Sequence, residues 1–276
     1  MKRKIFIITI LLLLVLGSGL YIWRTKKQYF PEMVPVEIDI SAFQLPTTSP
    51  SSLPTSHFEF RTFSPSPLSS QLSAPFDSTQ GRLSSPSSVP TELNLKMSFY
   101  SQAPFGNWSL PWQEACEEAS ALLVANMYQK KNWNIDEFNQ QILRIVEWEK
   151  GHFGAYEHTS VAQTVEMLDQ YLGLKSVVHE NPTFEDIKKV LAKGHFVIMP
   201  LAGRKLGNPF YTNGGPVYHM LVVKGYKDGK IITHDVGTRR GANYVFTWEI
   251  IDNALHDYAE PIEQGDARII EVLPPQ

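Results

Sequence analysis

Cys116 is the only cysteine in a chain of 276 residues, and it stands within WSLPWQEACEEASALLVANM (108–127), where a polar stretch gives way to a helical pattern. A thiol at a helix N-terminus faces backbone N–H groups without intrahelical partners and the positive end of the helix dipole. Both favour the thiolate, which is the nucleophilic form. Glu114, Glu117 and Glu118 surround it and would oppose ionisation if they pointed inward. Positions i+1 and i+2 of a helix face away from residue i, so their effect is expected to be partly screened. A lone cysteine followed by apolar residues also fits a small buried hydrophobe. Position alone does not decide between the two.

The second half of the chain supplies partners. His219 begins the apolar run HMLVVKGY, and Asp235 ends IITHD just before a Val-Gly turn. If the two runs form an antiparallel hairpin through Lys227–Gly229, residues 219 and 235 lie opposite each other or one step apart. The carboxylate could then fix the imidazole tautomer and stabilise an imidazolium. Taken singly, a core histidine and a turn-forming aspartate explain the same residues. Taken together with Cys116, they form the Cys–His–Asp order of thiol-based acyl transfer.

Other chemistries find less support. His152 and His158 flank a loop, and His234 is expected to point to the sheet face opposite Asp235. No HxxxH or HExxH spacing is present, so no metal site is expected. Neither GxxxxGK[ST] nor GxGxxG occurs, and the formal net charge is −3, so neither nucleotide nor nucleic acid is an expected partner, and no cofactor is implied.

Three segments, SFYSQAPFGNWSLPWQEACEEAS, VYHMLVVKGY and THDVGTRRGANY, together resemble the C39-like peptidase family of papain-like fold, over about residues 95–260. The resemblance implies Cys116 as nucleophile, His219 as general base and acid, and Asp235 as the orienting residue. It also implies a glutamine ahead of the cysteine whose amide helps form an oxyanion hole with the cysteine N–H. Gln102 in the SQAP motif is the favoured candidate and Gln113 the alternative. Bacteriocin-processing members carry their glutamine six residues before the cysteine, where this chain has Leu110. Their Asp-Cys-Gly is here Ala115-Cys116-Glu117. The implied reaction is hydrolysis of a peptide or amide bond in a peptide or protein substrate. A weakly active peptide-binding module of the same fold, or an amidase acting on cell-wall peptides, shares the constellation. Asn107, Trp108 and the loop GNPFYTNGGP (207–216), with Asn208 in it and Tyr218 just after, are expected to shape the substrate cleft. Arg239 and Arg240 could bind a carboxylate or pair with surface acids.

The elements that must position these residues follow from periodicity. Ala119, Leu122, Leu123, Ala125 and Met127 recur at helical spacing from Cys116 to about Gln129. A second helix is expected from Asn134 through Trp148, a third after Thr159/Ser160 to Gly173, and a fourth after a Thr183–Asp186 capping box to Gly194. The period then changes to two: 196–200, 219–226, 230–234 and 244–248 read as strands, followed by a short helix near 248–258 and a last strand at 268–273. LNLKMSFY (93–100) reads as a strand or extended lead-in. Helices first and strands later predict an α+β domain with N-terminal helices packed on an antiparallel sheet, spanning 93–276.

The remaining chain bears on location. Lys2, Arg3 and Lys4 precede a 19-residue apolar run, residues 5–23, and Arg24, Lys26 and Lys27 follow. At about 1.5 Å per residue this run just spans a hydrocarbon core of about 30 Å, so residues 1–30 are expected to be a retained single-pass signal anchor, N-terminus inside. From Ser41 to Pro90, 28 of 50 residues are Ser, Thr or Pro. Such a composition cannot bury enough apolar surface to offset its ordering entropy, so 31–92 is expected to be a disordered linker holding an extracytoplasmic domain away from the bilayer.

Overall fold

The computed structural model describes residues 34–40 and 89–275. The expected anchor, residues 5–23, and most of the Ser/Thr/Pro-rich segment lie outside the described residues. Among the described residues no helix is long and apolar enough to cross a membrane.

Strand β1 (Leu93–Asn94) leads into helix α1 (Cys116–Tyr128), α2 (Ile135–His152) and α3 (Val161–Glu166), which continues as a π-helical turn through Met167–Tyr171. Then come β2 (Ser176–Glu180), α4 (Phe184–Ala192), β3 (Phe196–Ala202), β4 (Tyr218–Lys227), β5 (Lys230–His234), β6 (Tyr244–Thr247), α5 (Trp248–Ala254) and β7 (Arg268–Val272). The strands form one antiparallel sheet in the order β2-β7-β3-β4-β5-β6, with β1 pairing the far end of β4. This is the expected α+β, papain-like arrangement.

Local chemistry fixes the helix starts. Asn134, Ser160 and Thr183 each accept a backbone N–H while Glu137, Gln163 and Asp186 reach back, giving three capping boxes. Such caps contribute about 1 kcal/mol each. Helix α1 differs: its N-cap is Ala115, which offers no side-chain acceptor. Its hold on the fold is burial instead, since every residue from Cys116 to Asn126 is buried. The helix packs on β4 and β3. Those two strands are enclosed almost end to end: all seven residues of β3 and the first nine of β4 are buried. Helices that cover such strands leave no water-facing register for polar alternation.

Three differences from the sequence expectations have physical reasons. Strand β2 (SVVHE) was not anticipated; it is a half-exposed edge strand, with Val177 and Val178 facing water. The 93–100 lead-in pairs as a strand only at Leu93–Asn94, and beyond that it is held point by point, including the Met97 carbonyl, which accepts from His234 Nε2 (3.1 Å). Residues 34–40, expected to be part of the disordered linker, bridge instead to the domain: Ile38 pairs with Leu95, and Asn94 Nδ2 donates to the Pro35 carbonyl (2.9 Å). Buried Lys224 completes the tie, donating to Glu37, Asn94 (2.8 Å) and Asn243 (2.7 Å). Within VPVEIDI the alternation of Val34, Val36, Ile38 and Ile40 is strand-like, and Ile40 packs against the core, a local signal that the Ser/Thr/Pro-rich composition of the longer segment outweighs.

Lys224 also marks a β-bulge. Pairing runs Lys227↔Lys230, Tyr226↔Ile231 and Gly225↔Ile232, then slips by one, so that Val223 faces Thr233 and Val222 faces His234. The extra residue reverses the parity of everything beyond it. Without the slip, Asp235 would project from the face opposite His219. With it, the register continued by one residue sets Asp235 across from Leu221, on the face His219 shares. Residues 219 and 235 are therefore diagonal neighbours, not the directly opposed or one-step pair expected from a regular hairpin.

Candidate active site

Cys116 is delivered by a braced turn. The 3-10 turn Trp112–Glu114 precedes α1, and Trp112 Nε1 donates to Asn139 Oδ1 on α2 (2.8 Å). Gln102, itself buried, donates both amide N–H groups to the carbonyls of Trp112 and Gln113 (2.9 Å each). Two carbonyls on the amide nitrogen leave no ambiguity about which way this amide points.

Cys116 and His219 line one cleft of about 780 Å³, together with Gln102, Trp108, Gln113, Tyr211 and Tyr218. His219 Nε2 is 2.9 Å from Asp235 Oδ1, and both side chains are buried. With Nε2 engaged there, Nδ1 is the imidazole nitrogen left for a proton transfer. Asp235 is held on every side. Oδ1 also accepts from the Gly237 N–H (3.0 Å), while Oδ2 accepts from Asn208 Nδ2 (2.8 Å) and the Tyr211 hydroxyl (2.6 Å). Burial alone would raise its pKa, but His219 and the hydrogen bonds outweigh burial and keep this carboxyl below its ordinary range. Glycine is required at 237, where a Cβ would come within 2.8 Å of the His219 ring.

The thiol has a different environment from the one expected. Cys116 Sγ lies 2.9 Å from Glu117 Oε2, and Glu117 is fully inside the protein. The expectation that i+1 and i+2 neighbours are screened is overturned, because α1 is enclosed around its whole circumference and its first-turn side chains have nowhere to go but inward. Burial and then Glu117 push the thiol well above its ordinary pKa, while the Met220 backbone N–H pulls it down. Burial pushes Glu117 up to about 8, with its hydrogen bond to Cys116 acting against that. Behind it, burial and Glu149 hold the Glu118 carboxyl far above the usual range. Glu149 on α2 is pushed up to about 7 by burial and accepts from Thr159 Oγ1 (3.0 Å). Neither Glu118 oxygen has a conventional donor among the described residues. Two buried carboxyls can satisfy each other only if one keeps its proton, and burial raises both Glu118 and Glu149 toward the protonated form.

The remaining expected site residues divide. Trp108 and Tyr218 line the cleft, and Tyr218 donates to the Thr159 carbonyl (3.3 Å). Asn107 does not line it; its Oδ1 accepts from the Ser109 N–H (3.1 Å) and shapes the loop. Asn208 is buried behind the cleft as a support of Asp235, because its Nδ2 is committed to that carboxylate. Gln102 has no amide hydrogen free for an oxyanion in this conformation, whereas Gln113 spends one on Glu114 (2.8 Å) and keeps the other. Tyr211 and Glu149 carry no sequence signal that singles them out, whereas Glu117 and Glu118 are marked by standing next to Cys116. His234, as expected, faces away: it bonds Met97 and the Asn243 N–H, and burial lowers it to about 3.

Comparison with protein families matches residues 94–259 to the model described as the Peptidase_C39 like family. Among solved structures, a Bacillus anthracis protein assigned as a C39-like peptidase aligns at 15% identity and TM-score 0.46, over 67% of this chain and 98% of the other. Comparison with curated proteins gives no match.

Proposed function

The chain belongs to the Peptidase_C39 like family, and from that premise we propose that it is a cysteine peptidase that hydrolyses a peptide or amide bond through Cys116, His219 and Asp235. The observation that carries this reading is the meeting of the Cys116 thiol and the Asp235-bound imidazole in one cleft. His219 Nδ1 takes the thiol proton as sulfur attacks the carbonyl carbon. The tetrahedral oxygen is met by the Cys116 N–H, at a helix start that no side chain caps, and by Gln113, or by Gln102 once it is released from the turn. Imidazolium then protonates the leaving amine, and water attacking with His219 as base cleaves the thioester. Asp235 stays ionised throughout and stabilises the imidazolium.

The resting thiol is neutral in this scheme, so proton transfer to His219 accompanies attack rather than preceding it. That distinguishes it from a preformed thiolate–imidazolium pair. The bond to Glu117 also favours the second reading, a tethered peptide-binding module with little turnover. The proposed setting of either is a domain held outside the membrane by residues 5–23 and their linker. Incubating the full-length chain with a diverse peptide mixture and reading products by mass spectrometry separates the two. Cleavage that disappears in Cys116→Ala and His219→Ala supports the peptidase. Intact peptides that nevertheless bind support the module. Protease protection of the domain in sealed membranes tests the anchor.

A further inference from the structure

The rim of the cleft carries a charge opposite to that of the chain. The formal net charge is −3, yet Arg204, Arg239 and Arg240 line the cleft against a single carboxylate, Glu114. Among the described residues none of the three guanidinium groups has a carboxylate partner, whereas Lys150, Lys188, Lys189 and Arg268 are all in ion pairs. Two of the three guanidinium groups are also held, not merely dangling, while Arg204 is placed by its backbone. Arg239 Nη1 lies against Gly106, 3.4 Å from where a Cβ would stand. The Arg240 guanidinium sits 4.9 Å over the Phe210 ring. Arg204 follows Gly203, whose N–H donates to the Val217 carbonyl (3.1 Å) and whose missing Cβ would crowd Pro216 and the His219 Cβ. The three cations thus come from two segments, residue 204 and residues 239–240, onto the cleft that His219 lines.

An unpaired guanidinium on a concave rim with aromatic walls is preorganised for a planar carboxylate. The walls here include Trp108, Phe210 and Tyr211. We infer that this cleft selects peptides bearing carboxylates next to the bond it holds, with Arg204, Arg239 and Arg240 as the specificity-determining cations; this rests on the reading of the cleft as a peptide-processing site. The carboxylate could belong to Asp and Glu side chains or to a free C-terminus, and the test separates these.

Binding is measured with the full-length Cys116→Ser chain, so that turnover does not enter. Fluorescent peptides of one length carry several Glu, Gln or Lys residues, each with a free or amidated C-terminus. The Glu peptides should bind roughly tenfold or more tighter than the Gln peptides, with the gap closing as salt rises. Replacing all three arginines by glutamine should erase the gap, and replacing them by lysine should keep much of it. Retention on amidation assigns the preference to side chains; loss on amidation, with neutral peptides binding only when the C-terminus is free, assigns it to the terminal carboxylate. No advantage of either carboxylate, neither of Glu over Gln nor of a free over an amidated C-terminus, or a preference that survives loss of the arginines, overturns the inference. Wild-type cleavage of the same peptides is read in parallel. An acidic preference without cleavage would refute the peptidase reading alone, and cleavage without a charge preference would refute the inference alone.

Discussion

Cys116 Sγ and Glu117 Oε2 are 2.9 Å apart, so the thiol shares its nearest proton partner with a residue adjacent in sequence. The two groups titrate as a pair, and the first proton leaves near pH 8, where Glu117 is poised. Below that pH Glu117 is neutral and resembles glutamine in shape and charge. Above it, the new carboxylate opposes thiolate formation. Glu117→Gln should therefore alkylate with iodoacetamide within about threefold of wild type at pH 6–7 and about tenfold faster at pH 9, since one pKa unit is a factor of ten. Profiles that stay superimposed through pH 9 would mean that the carboxyl does not govern the thiol.

Four donors converge on Asp235, and they do not contribute equally to function. Tyr211→Phe removes the shortest of these bonds and leaves Oδ2 to Asn208 alone. A hydrogen bond to a buried charge is worth about 1.5–3 kcal/mol, so denaturant unfolding should show a loss of that size. Asp235→Asn should leave the fold in place and lower peptide cleavage by about 10²–10⁴, because an amide no longer enforces the imidazole tautomer. An Asp235→Asn variant with wild-type turnover would remove Asp235 from the mechanism.

Much of this architecture was legible because its signals are local. The Thr183 and Ser160 caps, the Gly173 and Gly194 stops, and the change of period after residue 195 each depend on a few neighbouring residues. Cys116, His219 and Asp235 stand out in the sequence through order and local context. What escaped depends on distant partners. Asn208 looks like a loop residue until the bulge at Lys224 turns Asp235 toward it. Gln102 looks like an oxyanion donor until the carbonyls of Trp112 and Gln113 claim it. Glu117 and Glu118 look solvated by helix geometry, and only the closure of α2 and β4 over α1 makes them core.

Lys224 gives the attachment of residues 34–40 a specific test. Its ammonium is buried, and burial lowers its pKa, with Glu37 acting against that. Lys224→Met removes the charge and leaves Asn94 and Asn243 without their shared donor. Glu37 is one-third exposed and can return to water, so the cost should be about 1–3 kcal/mol, less than for a fully buried pair. Hydrogen exchange should show that Ile38 and Lys96, whose N–H groups bond across this junction, lose protection ahead of the central strands. Unchanged protection there would mean that the segment is held without Lys224.

The buried carboxyls behind the thiol predict an unusual pH dependence of stability. Glu117 and Glu149 are raised from 4.5 to about 8 and about 7, and burial and Glu149 raise Glu118 as well. Between pH 4.5 and 8 the folded state thus binds protons that the unfolded chain has released. Unfolding free energy must then fall as pH rises through this window, by about 1.4 kcal/mol per pH unit for each proton of difference. The stabilisation is complete below the unfolded pKa and lost above the folded ones. Glu271 acts in the opposite sense: hydrogen bonds from His195 and His179 hold it near 2, so its contribution is lost only in strong acid. Denaturant midpoints should therefore decline from pH 5 to pH 8, and Glu149→Gln, which keeps an acceptor for Thr159 and supplies a permanent donor, should flatten the decline. A midpoint that rises over this range in wild type would show that the three carboxyls ionise in the folded protein.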